Sequence, residues 1–139
     1  MPYEVRLIKE STKSWPARIH NIYTGNVTTD DVVGCVNSSI RLLDQQDEPI
    51  DIIGIFEKDS NFLNAKGVLF QKPLMEQLTW HQKLNELILV DLNMVITGDF
   101  TKKSLQTFLS RPELKISIVG SMEVLDAFLT QRYEQAVTR

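Results

Sequence analysis

Polar side chains follow three apolar segments of this sequence, at the positions where the strands of a sheet would end. Glu57 and Asp59 follow the first segment, Asp91 and Asn93 follow the second, and Ser121 follows the third. Parallel sheets bind ligands outside the carboxyl ends of their strands. A helix that starts near Ser121 would add free backbone N–H groups at the same edge. We therefore treat these five residues as candidates for a small-ligand crevice.

The carboxyl groups at these positions are also the candidates for acid–base catalysis. Asp91 comes directly after four apolar residues, and a partly buried carboxyl is suited to exchange a proton with a substrate. Glu57 is the second candidate. Strands commonly end on polar residues, however, so the end of a strand is the simpler explanation of both side chains. A small enzyme is therefore the third-ranked hypothesis.

Metal and cofactor sites lack their usual sequence signatures. His20 and His81 are the only histidines, they are far apart in the chain, and we expect both at the surface. Cys35 is the single cysteine, which excludes an internal disulfide, and its neighbours indicate a packed helix residue. Neither a G-x-G-x-x-G motif nor a P-loop is present. We therefore expect no metal site and no cofactor.

Length, composition and charge restrict the class of protein. With 139 residues, of which 42% are hydrophobic and 24% charged, the chain is expected to form a single domain over 1–139. The net charge is −3 and the aromatic residues are not interleaved with Lys and Arg, so nucleic-acid binding is not expected. Apolar runs long enough for a secretory signal or a membrane span do not occur, which predicts no membrane insertion. Together with the single cysteine, this predicts a cytoplasmic protein.

The periodicity of apolar residues predicts the first elements of the chain. Segments 3–9 and 15–23 alternate between apolar and polar residues as half-buried strands do, and a hairpin is the simplest connection between them. Apolar residues then recur at helical spacing over 28–44, after threonines that can cap a helix. Asp30 and Asp31 are expected in its first turn, near the positive end of the helix dipole.

Strands and helices are predicted to alternate in the middle of the chain. Segments 50–56 and 86–91 carry apolar residues at nearly every position, which is typical of strands covered on both faces, and 50–56 is expected at the centre of the sheet. Segment 62–82 predicts a helix that is interrupted or restarted at Pro73.

The last part of the chain predicts one more strand between two helices. Segment 92–100 is ambiguous, because it can extend the preceding strand or open the next helix. A helix is predicted over 101–110, a strand over 115–119, and a final helix from Ser121. The order β-β-α-β-α-β-α-β-α predicts an α/β fold with a mixed, mostly parallel sheet and helices packed on it.

This order resembles that of the STAS domain, the fold of anti-sigma-factor antagonists and of the cytoplasmic tails of sulfate transporters. The residues G-N-V-T at 25–28 resemble the family's G-x-[VIL]-[DT] motif before the first helix. Segment 50–56 looks like its central strand, and S-M-E-V-L-D-A-F-L at 121–129 is similar to the S-x-E-E-A-L start of its last helix. The resemblance implies a STAS-like fold and a regulatory protein that binds other proteins.

The resemblance also implies that the family's phosphorylation switch is missing. Antagonist members carry F-[IM]-D-[ST]-S-G-L-G after a strand, and a partner kinase phosphorylates a serine in it. The corresponding segment 62–69 reads F-L-N-A-K-G-V-L, so Asn64 replaces the aspartate, and Ala65 and Lys66 replace the hydroxyl residues. If the alignment is shifted by a few residues, Ser60 becomes an alternative acceptor.

Residues near this segment are candidates for a protein-docking surface. Other members of the family bind partners through the corresponding loop and helix, and tryptophan is enriched among the residues that dominate binding. Burial in the core is the alternative explanation for the apolar side chains. The candidate docking residues are Phe62, Leu63, Asn64, Lys66, Phe70 and Trp80.

Three functions follow from the sequence, in decreasing order of support. The first is a non-enzymatic interaction or regulatory domain in the cytoplasm, which docks residues 57–80 onto a protein partner or a second copy of itself. The second is a small-ligand-binding or sensing domain that uses the crevice at the strand ends. The third is a small enzyme whose acid or base is Asp91 or Glu57.

Overall fold

The computed structural model describes residues 2–8, 17–62, 72–93 and 114–137. The described residues form five strands and three helices, which confirms the α/β class. The elements are β1 (Tyr3–Ile8), β2 (Arg18–Tyr23), α1 (Thr29–Asp44), β3 (Ile50–Phe56), α2 (Lys72–Thr79), β4 (Leu84–Asp91), β5 (Lys115–Val119) and α3 (Met122–Val137).

The sheet is mixed and its strands lie side by side in chain order, β1-β2-β3-β4-β5. The hairpin partners β1 and β2 are antiparallel, and each later strand is parallel to the one before it. The predicted mostly parallel sheet with an antiparallel hairpin is therefore confirmed. The third strand is central and all seven of its residues are buried, as its apolar pattern predicts.

The described elements differ in detail from the predicted order. They read β-β-α-β-α-β-β-α, because the predicted helix at 101–110 lies outside the described residues, as does most of the ambiguous segment 92–100. The fourth strand begins at Leu84, two residues before the predicted start. The second helix begins at Lys72, so Pro73 lies in its first turn, where a proline costs no intrahelical hydrogen bond.

The first helix begins where its capping residues require. Thr28 is the N-cap and its hydroxyl accepts a hydrogen bond from the backbone N–H of Asp31. The Asp31 carboxylate accepts in return from the backbone N–H of Thr28 at 2.8 Å, which completes a capping box. Gly25, just before the cap, has φ of 62°, a conformation that glycine adopts without strain.

Each face of the sheet has its own apolar core. The first core lies between the sheet and the helices α1 and α2, and includes Ile19, Ile52 and Leu78. The second core lies between the other face and α3, and includes Ile53 and Leu125. Because neighbouring residues of β3 point to opposite faces, Ile52 and Ile53 belong to different cores.

None of the helices in the described part of the chain is both long and apolar enough to cross a membrane.

Candidate functional site

The carboxyl ends of the parallel strands β2 to β5 lie at the same end of the sheet, and hydrogen bonds connect the loops that follow three of these strands. The backbone N–H of Glu57 donates to the carbonyl of Tyr23 at 3.1 Å, and the N–H of Leu92 donates to the carbonyl of Phe56 at 2.9 Å. Asn61 donates its N–H to the carbonyl of Gly25 at 2.7 Å. These bonds fix the loops after β2, β3 and β4 relative to one another.

Several of the residues predicted to form the crevice lie at this end of the sheet. Asp91 is buried and lies opposite Phe56 in the β3–β4 register. The amide of Asn93 donates to the carbonyl of Ser60, which joins the turn after β4 to the loop of Glu57. Asp59, in the same loop, is exposed.

Ser121 follows β5 and has a structural role at the start of α3. Its hydroxyl accepts a hydrogen bond from the backbone N–H of Val124 at 3.1 Å, and its carbonyl accepts from the N–H of Leu125. These contacts are those of an N-cap residue, so the last helix begins at the position that the sequence predicts.

Ser60 is poorly placed to accept a phosphoryl group. Its side chain is buried, with only 1% of the residue exposed, and its hydroxyl donates to the carbonyl of Glu57 at 2.6 Å. The backbone N–H of Ser60 donates to the same carbonyl at 3.0 Å. A kinase would therefore have to open this turn before it could reach the hydroxyl.

The docking candidates separate into three groups. Phe62 is 3% exposed and packs edge-to-face against Tyr23 and Phe56 with ring centroids 5.2 Å apart in both pairs, so its assignment to a docking surface is wrong. Its burial follows from the aromatic side chains that close the first core beyond the strand ends. Trp80 is 54% exposed. The other candidates, Leu63, Asn64, Lys66 and Phe70, lie outside the described residues.

An ordered turn between α2 and β4 holds Trp80. Its backbone N–H donates to the carbonyl of Glu76 at 3.0 Å, as the last turn of a helix does. The N–H of His81 donates to Leu78, and the N–H of Leu84 donates to the carbonyl of His81. The backbone on both sides of the exposed indole is therefore hydrogen-bonded.

A hydrogen bond between side chains joins this turn to the end of α1. His81 Nε2 lies 2.6 Å from Asp44 Oδ1, and His81 Nδ1 accepts from the backbone N–H of Lys83 at 3.0 Å. Because Nδ1 accepts, the neutral ring carries its proton on Nε2 and donates it to the carboxylate. Lys83 Nζ donates to the carbonyl of Asp47 at 2.8 Å, which adds a second link.

These residues line an open surface cavity beside the indole. Its volume is about 440 Å³ and its walls are Asp44, Trp80, His81, Gln82 and Lys83, which we call the Trp80 surface. Trp80 alone among them was predicted from the sequence as a docking residue. Asp44 and His81 are far apart in the chain, and no local pattern connects them.

A second polar group lies on the sheet face that α3 covers. Arg18 and Asp51 are cross-strand neighbours, both buried, and Asp51 accepts a hydrogen bond from the Asn85 amide at 2.8 Å. Glu86 is buried on the same face and accepts from the Ser117 hydroxyl at 3.1 Å. The sequence does not predict this group, because each of its members lies alone within an otherwise strand-like pattern.

The sequence predicts that His20 lies at the surface, but its side chain is half-buried beside this group. Arg18 Nε donates to His20 Nε2 at 3.1 Å. Burial, and then the positive charges of Arg18 and Arg6, lower the pKa of His20 to about 4. The imidazole is therefore neutral near pH 7, with its proton on Nδ1.

Cys35 is a buried residue of α1, as predicted. Burial raises the pKa of its thiol to about 11, so the reactive thiolate is scarce near neutral pH. A nucleophilic role for this cysteine is therefore not supported.

Comparisons with protein-family models, with curated proteins and with solved structures find no match to this chain. Among the residues that the structure describes, no group of three or more His, Cys, Asp or Glu side chains could hold a metal ion. The geometry of the structure is therefore the basis of the candidate sites.

Proposed function

We propose that this chain is a non-enzymatic regulatory domain that binds another protein through the Trp80 surface. The observation that carries the proposal is the 54% exposure of Trp80 on a hydrogen-bonded turn. Exposing a large aromatic ring forgoes the free energy of burying it, and tryptophan is enriched among the residues that contribute most to binding. A fixed backbone also lowers the entropy that the surface loses on binding.

The chemistry around the indole indicates the kind of partner. Asp44 is exposed at one side of the cavity and Lys83 is partly exposed in the same wall, so both signs of charge flank an apolar centre. This arrangement fits a protein surface that presents an apolar side chain between charged groups, because interfaces combine an apolar core with a polar rim.

We also propose that the α/β fold of this chain is STAS-like. The antiparallel hairpin before three further parallel strands supports it. The left-handed Gly25 followed by the capping Thr28 also supports it, because these residues carry the motif before the first helix. Regulation in the cytoplasm by docking, without phosphorylation of segment 62–69, would follow.

The test compares partner capture by matched surface variants. Trp80→Ser removes the indole, and we expect a protein captured by the wild-type chain from its native lysate to be lost. Val124→Ser is the control, because Val124 is also an exposed apolar residue, with 52% of its surface accessible. It lies at the start of α3, which follows the carboxyl end of β5, whereas Trp80 lies near the amino end of β4. Both variants should keep the unfolding temperature, since exposed side chains contribute little to stability. Equal capture by wild type and Trp80→Ser would contradict the proposal.

A small-ligand-binding domain is the second candidate function. Asp91 favours it, because this carboxyl is buried at the strand ends where parallel sheets bind ligands. A thermal-shift screen with diverse anions and metabolites should then give stabilisers that no longer act on Asp91→Asn. A screen without any stabiliser would remove this candidate. The small enzyme stays a weaker proposal with Asp91 or Glu57 as its acid or base.

A further inference from the structure

The first strand lies at the edge of the sheet. Within the described residues, β1 pairs with β2 alone, and no described strand pairs with its outer side. The N–H of Thr24 donates to the carbonyl of Pro2 at 2.8 Å, which makes these two residues a hydrogen-bonded pair. Hydrogen-bonded pairs alternate along an antiparallel ladder. The backbone groups of Tyr3, Val5 and Leu7 therefore point away from β2, towards the outer side.

The side chains of β1 form an alternating pattern of charge and apolar surface. Tyr3, Val5 and Leu7 are partly buried and pack against the first core. Glu4 and Arg6 point to the opposite face, where they form an ion pair with side chains 50% and 57% exposed. Charged residues on an edge strand usually discourage pairing with other chains. Here, however, the two charges have opposite signs and are two residues apart.

This spacing makes β1 complementary to itself in one antiparallel register. If two copies pair around Val5, then Glu4 of each copy lies opposite Arg6 of the other, and Tyr3 lies opposite Leu7. If they pair around Glu4 or around Arg6, identical charges lie opposite one another, which is unfavourable. A shift by a single residue places the charged face of one strand beside the apolar face of the other.

We propose that two copies of this chain associate through β1, antiparallel and centred on Val5, to form one continuous ten-stranded sheet. The outward backbone groups of Tyr3, Val5 and Leu7 would then form the ladder. Glu4 of each copy would lie opposite Arg6 of the other copy at the non-hydrogen-bonded positions, where the side chains of opposing residues are closest. The association is isologous, because the same strand serves both partners.

A cavity beside the strand has room for the side chains of the second copy. Its volume is about 520 Å³, it is open to solvent, and it is lined by Tyr3, Glu4, Val5, Ser38, Arg41 and Leu42. In the proposed register, Leu7 of the second copy lies opposite Tyr3, at the wall of this cavity. Apolar contact there would add to the backbone ladder.

The test uses charge reversal on the full chain, with mass measured by sedimentation equilibrium. The wild type should have twice the 15.9 kDa of one chain. Glu4→Arg places two basic side chains opposite one another, and Arg6→Glu places two acidic ones. We expect each variant alone to dissociate, with a dissociation constant raised about tenfold or more. An equimolar mixture of the two should form a heterodimer, because opposite charges are then restored across the pair.

The controls reverse a charge elsewhere on the surface. Asp126→Arg and Lys58→Glu change exposed residues outside β1 by the same charge, and both should stay dimeric. Circular dichroism on every variant checks that it is folded. A wild-type chain that is monomeric at its highest soluble concentration would overturn the proposal, and so would a dimer that both β1 variants leave unchanged. None of these outcomes depends on Trp80, so the proposed function is tested separately.

Discussion

Single residues of this protein take their properties from the burial and the neighbours that the folded sheet gives them. His20 is the clearest case, because its imidazole lies half-buried beside Arg18, which donates to its Nε2. A charged imidazole there would lose solvent and meet two positive side chains. Arg18 is two residues from His20 in the sequence, but the burial of the ring and the position of Arg6 opposite His20 on β1 appear only in the folded sheet.

The lowered pKa of His20 predicts a dependence of stability on pH. The pKa is about 4 in the folded protein and about 6.5 in an unfolded chain. Between these values the unfolded chain binds the proton and the folded protein does not, so the free energy of unfolding falls as the pH falls from about 6.5 to about 4. Above about pH 6.5 the imidazole is neutral in both states, so its protonation no longer lowers the free energy of unfolding. With allowance for the partial exposure of the ring, the full change in the free energy of unfolding across the window should be on the order of 1 kcal/mol.

Urea unfolding of wild type and His20→Asn at several pH values measures this contribution. The difference in unfolding free energy between the two proteins should be constant above about pH 6.5 and should shift in favour of the variant below it. All other ionisable groups are present in both proteins, so their contributions largely cancel in the difference. Parallel curves from pH 7 to pH 4 would show that His20 does not carry the effect.

Among the elements, α1 shows how a helix is fitted to a neighbouring strand. The helix passes close to β1 at Gly34, where an added Cβ would lie 2.7 Å from the hydroxyl oxygen of Tyr3 and 3.3 Å from Cζ. Glycine is unfavourable within a helix. The contact with Tyr3 gives this glycine a packing role that compensates for its low helix propensity.

A double-mutant cycle tests the contact between α1 and β1. Gly34→Ala in the wild type combines a gain in helix propensity with a clash against the tyrosine hydroxyl. The Tyr3→Phe background lacks the hydroxyl. The change in the free energy of unfolding caused by Gly34→Ala should therefore be more favourable in this background than in the wild type, by about 1 kcal/mol. Urea denaturation of the four proteins gives the coupling energy. Asn37→Ala, at an exposed position of the same helix, should have the same effect in both backgrounds, and additive effects at Gly34 would contradict the prediction.

At the scale of the whole molecule, one central strand supports two separate cores. Ile52 contributes to the core under α1 and α2, and Ile53 contributes to the core under α3. Both side chains are fully buried, yet they serve different layers. The helix α3 therefore packs on one face of the sheet, against buried residues of β3 and β4 and against β5.

Alanine at these two adjacent positions should separate the layers. Ile52→Ala and Ile53→Ala should each lower the free energy of unfolding by about 2–5 kcal/mol, because each leaves a cavity in a packed core. Hydrogen exchange should then differ between them. In Ile53→Ala the amides of α3 should exchange faster relative to those of α1, and Ile52→Ala should have the reverse effect. An identical exchange pattern in both variants would indicate one indivisible core.

The sequence alone determined the local structure of this protein. Alternation of apolar residues located the hairpin, the continuous apolar run located the central strand, and Thr28 with the aspartates after it located the start of α1. Each of these signals depends on residues a few positions apart, because strand periodicity, helix periodicity and capping are local interactions.

The tertiary structure decided which residues are available for binding. Phe62 and Trp80 were equal candidates in the sequence, yet Phe62 closes an aromatic cluster in the core and Trp80 is exposed beside Asp44 and His81. The outward backbone of β1 likewise depends on its place at the edge of the sheet. Burial, cross-strand pairing and edge position depend on contacts between distant parts of the chain, and such contacts exist only once the chain has folded.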